Sequence, residues 1–151
     1  MTSQTSQKRP KGLLAIGIMG LLAVATWAAY RPQEEAMPRE AAQAGAPMVE
    51  VAIPASLPAR AEAGKTLYDS NCAACHGVAA AGQAGVAPPL IHKIYEPSHH
   101  GDIAFHMAAQ NGVRAHHWTF GDMPPIAGIT QAQIDAIVAY VRALQRENGI
   151  R

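Results

Sequence analysis

Two cysteines and a histidine stand close together in the stretch Cys72-Ala73-Ala74-Cys75-His76. This C-x-x-C-H spacing is the pattern by which c-type haem is attached to a protein. Two thiols separated by two residues of helix match the separation of the two vinyl groups of haem, to which they add. The adjacent imidazole is then carried beneath the iron as a proximal ligand. The motif therefore predicts one covalently bound haem, with Cys72 and Cys75 as attachment points and His76 as an iron ligand.

Other uses of two cysteines fit this stretch less well. A structural zinc site needs a second C-x-x-C or a matched pair of histidines. A thioredoxin-like redox pair needs a strand–helix–strand context, whereas the surrounding sequence has helical periodicity. A plain disulfide between the two cysteines would leave His76 without a role. The chain has only two cysteines, so a larger disulfide framework is excluded.

Six further histidines form the second chemical feature of the sequence: His92, His99, His100, His106, His116 and His117. Imidazole binds copper and zinc well, so the pairs 99–100 and 116–117 are one candidate site for a second metal ion, copper included. Adjacent histidines in a regular helix or strand do not face one metal, so this site requires a special loop shape. The alternative is a set of partly solvated loop histidines near the haem edge. Some of them would hydrogen-bond haem propionates, as Tyr95, Arg114 and Trp118 could. The sequence favours this second interpretation.

Three helical segments are expected to position these groups. Residues 59–71 and 102–110 carry apolar side chains at helical spacing. The clearest helix begins at Thr130, which forms a capping box with Gln133 and precedes a long apolar stripe. No alternation typical of strands appears. A few short helices within residues 59–151 make a thin core, which a haem would fill.

Taken together, residues 59–147 resemble the class I cytochrome c family. A helix leads into the C-x-x-C-H motif, a loop follows, a methionine stands before a proline, and a helix ends the segment. The residues that carry the resemblance are Cys72, Cys75, His76, Pro88-Pro89-Leu90, Gly121-Asp122-Met123-Pro124-Pro125 and the last helix. The resemblance implies an all-α fold, the class I cytochrome c fold, around a single covalent haem, and it implies electron transfer as the function.

Three further assignments follow from this resemblance. Met123 is implied to be the distal ligand of the haem iron. The carbonyl oxygen of Pro88 is implied to accept a hydrogen bond from His76, which would fix the tautomer of that ring. Gly64 of the first helix and Tyr140 of the last occupy the places where the family packs a glycine against an aromatic residue.

The chemistry of methionine agrees with its implied role. A thioether is a soft ligand that favours ferrous iron, so a His/Met pair raises the reduction potential. Two protein ligands also keep oxygen and peroxide away from the iron, as an electron carrier requires. Pro124 and Pro125 would stiffen the loop that presents Met123. The competing methionine, Met107, lies among apolar residues of a short predicted helix and is expected to pack in the core.

The chain begins with a basic head, residues 1–11, and continues with the uncharged apolar residues 12–30. A helix of these nineteen residues would extend over roughly 28 Å, close to the hydrocarbon thickness of a bilayer. The positive-inside rule then predicts a single-pass anchor in the bacterial inner membrane, with the haem domain in the periplasm. The alternative is a cleaved signal peptide, because the small residues Ala23 and Ala25 fit a cleavage site.

Residues 31–58 contain five prolines, which prevent a continuous helix and favour an extended chain. They are predicted to form a tether that holds the domain of residues 59–151 away from the bilayer. That domain contains seven Lys/Arg and seven Asp/Glu residues. Because the domain has no net charge before its histidines are counted, we do not expect a nucleic-acid partner. We also do not expect strong electrostatic steering of a protein partner.

These features predict a membrane-tethered monohaem c-type cytochrome that carries single electrons between redox proteins. No small-molecule substrate and no enzymatic activity are expected. By family resemblance the partners would be a quinol–cytochrome c reductase and a terminal oxidase, or a periplasmic dehydrogenase. Two alternatives remain open from the sequence. One is a redox or gas sensor, or a small peroxidase, whose methionine ligand leaves the iron; the other is metal handling through the histidines.

Overall fold

The computed structural model of the chain describes residues 45–151. The predicted basic head, the predicted membrane segment and residues 31–44 of the predicted tether lie outside the described residues. The described part contains four α-helices and two short 3₁₀ turns. The helices are α1 (Ala59–Asn71), α2 (Ala73–His76), α3 (Asp102–Asn111) and α4 (Gln131–Glu147), and the 3₁₀ turns are Val78–Ala80 and Lys93–Tyr95.

No β-strand occurs between residues 45 and 151, where only two isolated bridges pair the backbone, at Gln83–Ala87 and Val113–Met123. The prediction of an all-α domain is therefore confirmed for this part of the chain. Over the same range, none of the helices has the length and apolar character needed to cross a membrane.

Helices α1 and α4 make the central packing contact of the domain. A Cβ atom at Gly64 would overlap the backbone carbonyl of Ala136, so the two helix backbones touch at this point. One turn further along α4, the Tyr140 ring packs on the Tyr68 ring with 5.5 Å between centroids. Both tyrosines are almost fully buried. This contact fixes the end of α1, where the C-x-x-C-H motif begins.

Helix α4 begins as its sequence predicts. The Thr130 hydroxyl oxygen accepts from the Gln133 backbone N–H at 3.3 Å, and the Gln133 side chain accepts from the Thr130 N–H at 2.9 Å. These two bonds form the predicted capping box. Behind the cap, one face of α4 is buried, with Ile134, Val141 and Leu144 each at most 2% exposed. Among the described elements, this helix therefore supplies the largest share of the buried apolar residues.

The structured domain starts earlier than residue 59, where the sequence analysis placed its beginning. Gly45 N–H donates to Ala84 O at 2.9 Å, and further on Ala52 N–H donates to the Asn148 side chain at 2.9 Å. Val49 and Leu57 also pack against the core. The prolines of this stretch prevent a helix, but they leave an extended chain free to pair with the domain.

The Gly64 contact gives the first prediction. Gly64→Ala should lower the free energy of unfolding by about 1–3 kcal/mol or more, because the added methyl group forces the two helices apart. Chemical denaturation followed by circular dichroism measures this loss. Gly101→Ala is the matched control, since a Cβ atom there has its nearest neighbour at 3.6 Å. Equal stability losses in the two variants would contradict the close approach of α1 and α4.

Candidate functional site

A cavity of about 580 Å³ opens among α2, α3, α4 and the loop before α4. Its walls include all four site residues predicted from the sequence: Cys72, Cys75, His76 and Met123. The remaining wall is largely apolar, with residues such as Phe105 and Ile126 and the buried face of α4. The fold therefore brings the predicted haem-attachment motif and the predicted methionine ligand to one space.

The C-x-x-C-H motif is helical, as thioether formation with haem requires. Cys72 N–H donates to Tyr68 O at 2.8 Å and so prolongs α1, while His76 N–H donates to Cys72 O at 2.9 Å. Both thiols are free rather than joined in a disulfide. Burial, and then the neighbouring Cys75, raises the pKa of Cys72 to about 11. The Cys72 thiol is therefore partly shielded from solvent at the point where α1 ends.

His76 is oriented by a backbone carbonyl. Its Nδ1 atom lies 2.9 Å from the carbonyl oxygen of Pro88. A carbonyl oxygen only accepts, so the ring carries its proton on Nδ1 and leaves the lone pair on Nε2. Burial lowers the pKa of His76, which the bond to Pro88 opposes, and the neutral ring is the form that ligates a metal. The contact expected between His76 and Pro88 is thus present.

The loop after the C-x-x-C-H motif folds back and places Pro88 next to His76. Gly82 N–H donates to His76 O at 2.8 Å. Gly82 has a φ of +73°, and a Cβ atom there would lie 2.5 Å from the Pro89 nitrogen. Only glycine tolerates both the conformation and the close approach. Tyr68 from α1 adds a buried hydroxyl that donates to Gly77 O at 2.9 Å.

Met123 is held by backbone pairing on the other side of the cavity. Val113 and Met123 exchange two hydrogen bonds, each 2.9 Å long, and Ile126 N–H donates to Ala109 O at 2.8 Å. The methionine loop is therefore tied to the C-terminal end of α3. Met107, which the sequence analysis expected in the core, is 57% exposed and stands at the cavity wall. That expectation was wrong, because Met107 packs in neither cluster of core residues and instead lines the cavity.

One buried polar atom of the cavity wall points to a cofactor. Trp118 lines the cavity, and its indole Nε1 is buried near the Tyr95 side chain but makes no hydrogen bond of ordinary geometry in the described structure. A buried donor without an acceptor is costly, and a haem propionate is an acceptor of the right kind. Together with the apolar walls and the oriented Nε2 of His76, this donor fits a haem.

Comparison with known proteins agrees with this geometry. The sequence model of the family described as Cytochrome c matches residues 61–145, which is more than half of the chain. The chain belongs to the cytochrome c family. It is accordingly a class I c-type cytochrome with covalently bound haem c, and proteins of this family are electron carriers. A single domain of this kind is consistent with one haem.

Two relatives show how far the similarity extends. Cytochrome c-554(547) of Halothiobacillus neapolitanus is 34% identical over 90 residues, which make up 56% of this chain and 97% of that protein. The cbb3-type cytochrome c oxidase subunit CcoP of Azospirillum brasilense is 58% identical over 38 residues, which make up 22% of this chain and 13% of that subunit. No solved structure matches the chain.

The cytochrome domain also contains a buried arginine that the sequence analysis missed. Arg142 of α4 is 7% exposed. Its guanidinium donates to the Asp102 carboxylate at 2.8 Å and, at 2.6 Å each, to the carbonyl oxygens of Tyr95 and His100 and the Gln145 side chain. Tyr95 and His100 both line the cavity, so Arg142 fixes its rim. An arginine on the apolar face of a predicted helix is the signal that could have revealed it.

Four of the histidines outside the C-x-x-C-H motif lie together in this cytochrome. This first group consists of the residues at 99, 100, 116 and 117, with neighbouring ring centroids 4.3–6.1 Å apart. His106 instead pairs with Asp135 at 2.9 Å, and His92 packs edge-on against Trp118 at 5.1 Å. Three members of the first group, His100, His116 and His117, also line the cavity.

Arg142 gives the second prediction. Arg142→Leu should lower the free energy of unfolding by about 1–3 kcal/mol or more, because buried carbonyl oxygens lose their donor. Denaturant titration of the haem-bearing protein measures the loss. Arg146→Leu, one turn later and exposed, should change stability by no more than about 0.5 kcal/mol. A similar response of both variants would mean that Arg142 does not hold the rim.

Proposed function

We propose that the chain is a membrane-tethered monohaem electron carrier whose haem is held by Cys72 and Cys75 and whose iron is ligated by His76 and Met123. The observation that carries the proposal is the single cavity lined by all four residues. The haem supplies a one-electron iron couple when bound. The chain contributes attachment, orientation and the exclusion of other ligands.

The residues around the two proposed ligands are suited to holding an iron site that changes little between oxidation states. Pro88 O accepts the Nδ1 proton of His76 and so aims Nε2 into the cavity. Met123 is fixed through its own backbone by Val113. A rigid pair of ligands lowers the rearrangement needed on electron transfer, and the soft sulfur favours the ferrous state. Neither role requires a proton donor or a substrate pocket.

The surface around the cavity mouth supports docking by apolar contact. Val86 and Met107 line the cavity and are 42% and 57% exposed. Of the cavity-lining residues, Arg114 and Asp122 carry opposite charges, and the Asp122 carboxylate accepts from Ala115 N–H at 2.8 Å. A mouth with balanced charge gives little long-range steering. We therefore expect partner binding to depend weakly on salt.

A membrane tether would raise the encounter rate with membrane-bound partners, which the balanced charge of the domain does not do. Residues 12–30 as a retained anchor would place the domain at the periplasmic face of the inner membrane and raise its effective concentration near membrane complexes. The 38-residue similarity to a subunit named as part of a cbb3-type cytochrome c oxidase supports a terminal oxidase as electron acceptor. A quinol–cytochrome c reductase or a periplasmic dehydrogenase would then be the donor.

The proposed ligand is tested by replacing each of two methionines. Met123→Ala should abolish the weak red absorption band of the ferric methionine–iron bond, lower the reduction potential and let carbon monoxide bind the ferrous protein. Met107→Ala is the control and should keep the red band and leave the ferrous iron closed to carbon monoxide, because Met107 lies on α3 and not in the loop that presents Met123. Optical spectra with and without carbon monoxide and a potentiometric titration measure these effects.

Two outcomes would contradict the ligand assignment. A Met123→Ala protein with the original spectrum and potential would show that another side chain holds the iron. Rapid binding of carbon monoxide by the unmodified ferrous protein would show a labile distal site, and would favour a sensor or peroxidase over an electron carrier.

The anchor is tested by fractionation. The full chain should sediment with membranes and resist washing with concentrated salt, because apolar burial of residues 12–30 does not depend on ionic strength. Protease added to intact spheroplasts should release a haem-bearing fragment by cutting within residues 31–44. A mature protein that begins at Thr26 would instead show that a signal peptide had been removed.

A further inference from the structure

Two loops at the mouth of the cavity bring three histidines together. His99 and His100 lie in the turn after the second 3₁₀ segment, and His117 lies in the loop that follows α3. One ring nitrogen from each of these three residues lies within 4.8 Å of the others. We call His99, His100 and His117 the rim histidines. His117 is 18 residues from His99 in sequence, so the fold brings it to the adjacent pair.

The first loop has the special shape that adjacent histidines need. The backbone N–H groups of His99 and His100 both donate to Glu96 O, at 3.0 and 2.8 Å. This tight turn sets the two rings edge to face, with centroids 4.6 Å apart. Both rings also lie near His117, at 5.3 and 5.2 Å between centroids. Neighbouring side chains therefore converge here instead of pointing to opposite sides.

The spacing of two ring nitrogens is compatible with a shared metal ion. The Nε2 atoms of His99 and His117 lie 3.4 Å apart. Two nitrogens bound at 2.0–2.1 Å to one tetrahedral ion would lie about 3.3–3.4 Å apart. This pair therefore stands at the separation that a shared ion would impose.

His100 is already oriented as a metal ligand. Its Nδ1 atom lies 2.6 Å from Ile94 O, so Nδ1 carries the proton and Nε2 keeps its lone pair. A backbone carbonyl on the second ring nitrogen is the usual outer contact of a metal-bound histidine. The His100 carbonyl is itself held by Arg142 at 2.6 Å. One hydrogen bond thus holds the His100 ring and another holds its backbone.

We propose that the rim histidines bind one Zn²⁺ or Cu²⁺ ion, which bridges the two loops at the mouth of the haem cavity. Three imidazoles without a thiolate suit these two ions. The fourth position is left to water or to His116, whose ring is 4.3 Å from that of His117 and whose Nδ1 already bonds Arg114 O at 2.9 Å. The ion would sit beside the haem edge without replacing a haem ligand.

Calorimetric titration of the chelator-treated, haem-bearing full chain with Zn²⁺ tests this site. We expect one ion per chain, with no change in the haem spectrum. His99→Ala and His117→Ala should each weaken Zn²⁺ binding at least about tenfold. Replacing even a residue that only hydrogen-bonds a metal ligand typically lowers metal affinity by about 10–100-fold. Both residues are exposed, so the variants should fold. His106→Gln, outside the cluster, is the control and should bind Zn²⁺ as the original chain does.

Three results would overturn the proposal. One is the absence of Zn²⁺ binding and, in a matching titration, of Cu²⁺ binding at submillimolar concentration. Another is equal zinc binding by the two rim variants and the His106→Gln control. The third is loss of the methionine–iron band on adding Zn²⁺, which would place the ion at the haem. If the rim histidines only hydrogen-bond haem propionates, the rim variants should shift the reduction potential in metal-free buffer while zinc fails to bind the original chain.

Discussion

The space that haem requires, a largely apolar cavity of about 580 Å³ among the helices of this domain, is the constraint on which the described structure depends. A cavity of this size with largely apolar walls fits a haem, and the C-x-x-C-H motif proposed to attach it lies at the end of α1.

The polar groups of the domain serve to hold the walls of this space. On one side, Tyr68 and Pro88 fix the loop that carries and orients His76. On the other, paired backbone bonds hold Met123 against the end of α3. Arg142 then fixes the rim by bonding two carbonyl oxygens. Each wall is thus positioned by hydrogen bonds at the edge of the cavity, and the interior stays apolar and suited to the macrocycle.

The features predicted from the sequence are those that depend on short stretches of chain. The C-x-x-C-H motif, the capping box at Thr130 and the helices are local patterns, and the contact between His76 and Pro88 follows from the family resemblance. Other features depend on contacts between distant residues. The docking of residues 45–58, the burial of Arg142 and the exposure of Met107 result from how α1, α3 and α4 meet, which no short pattern encodes.

The central claim is that one haem is bonded covalently to Cys72 and Cys75 inside this cavity. Mass spectrometry of the purified chain, before and after acid–acetone extraction, tests it most directly. The account predicts that the chain keeps the added mass of one haem after extraction, and that a proteolytic peptide containing residues 72–76 carries it. Haem that extracts freely, leaving a peptide with two unmodified thiols, would contradict the account.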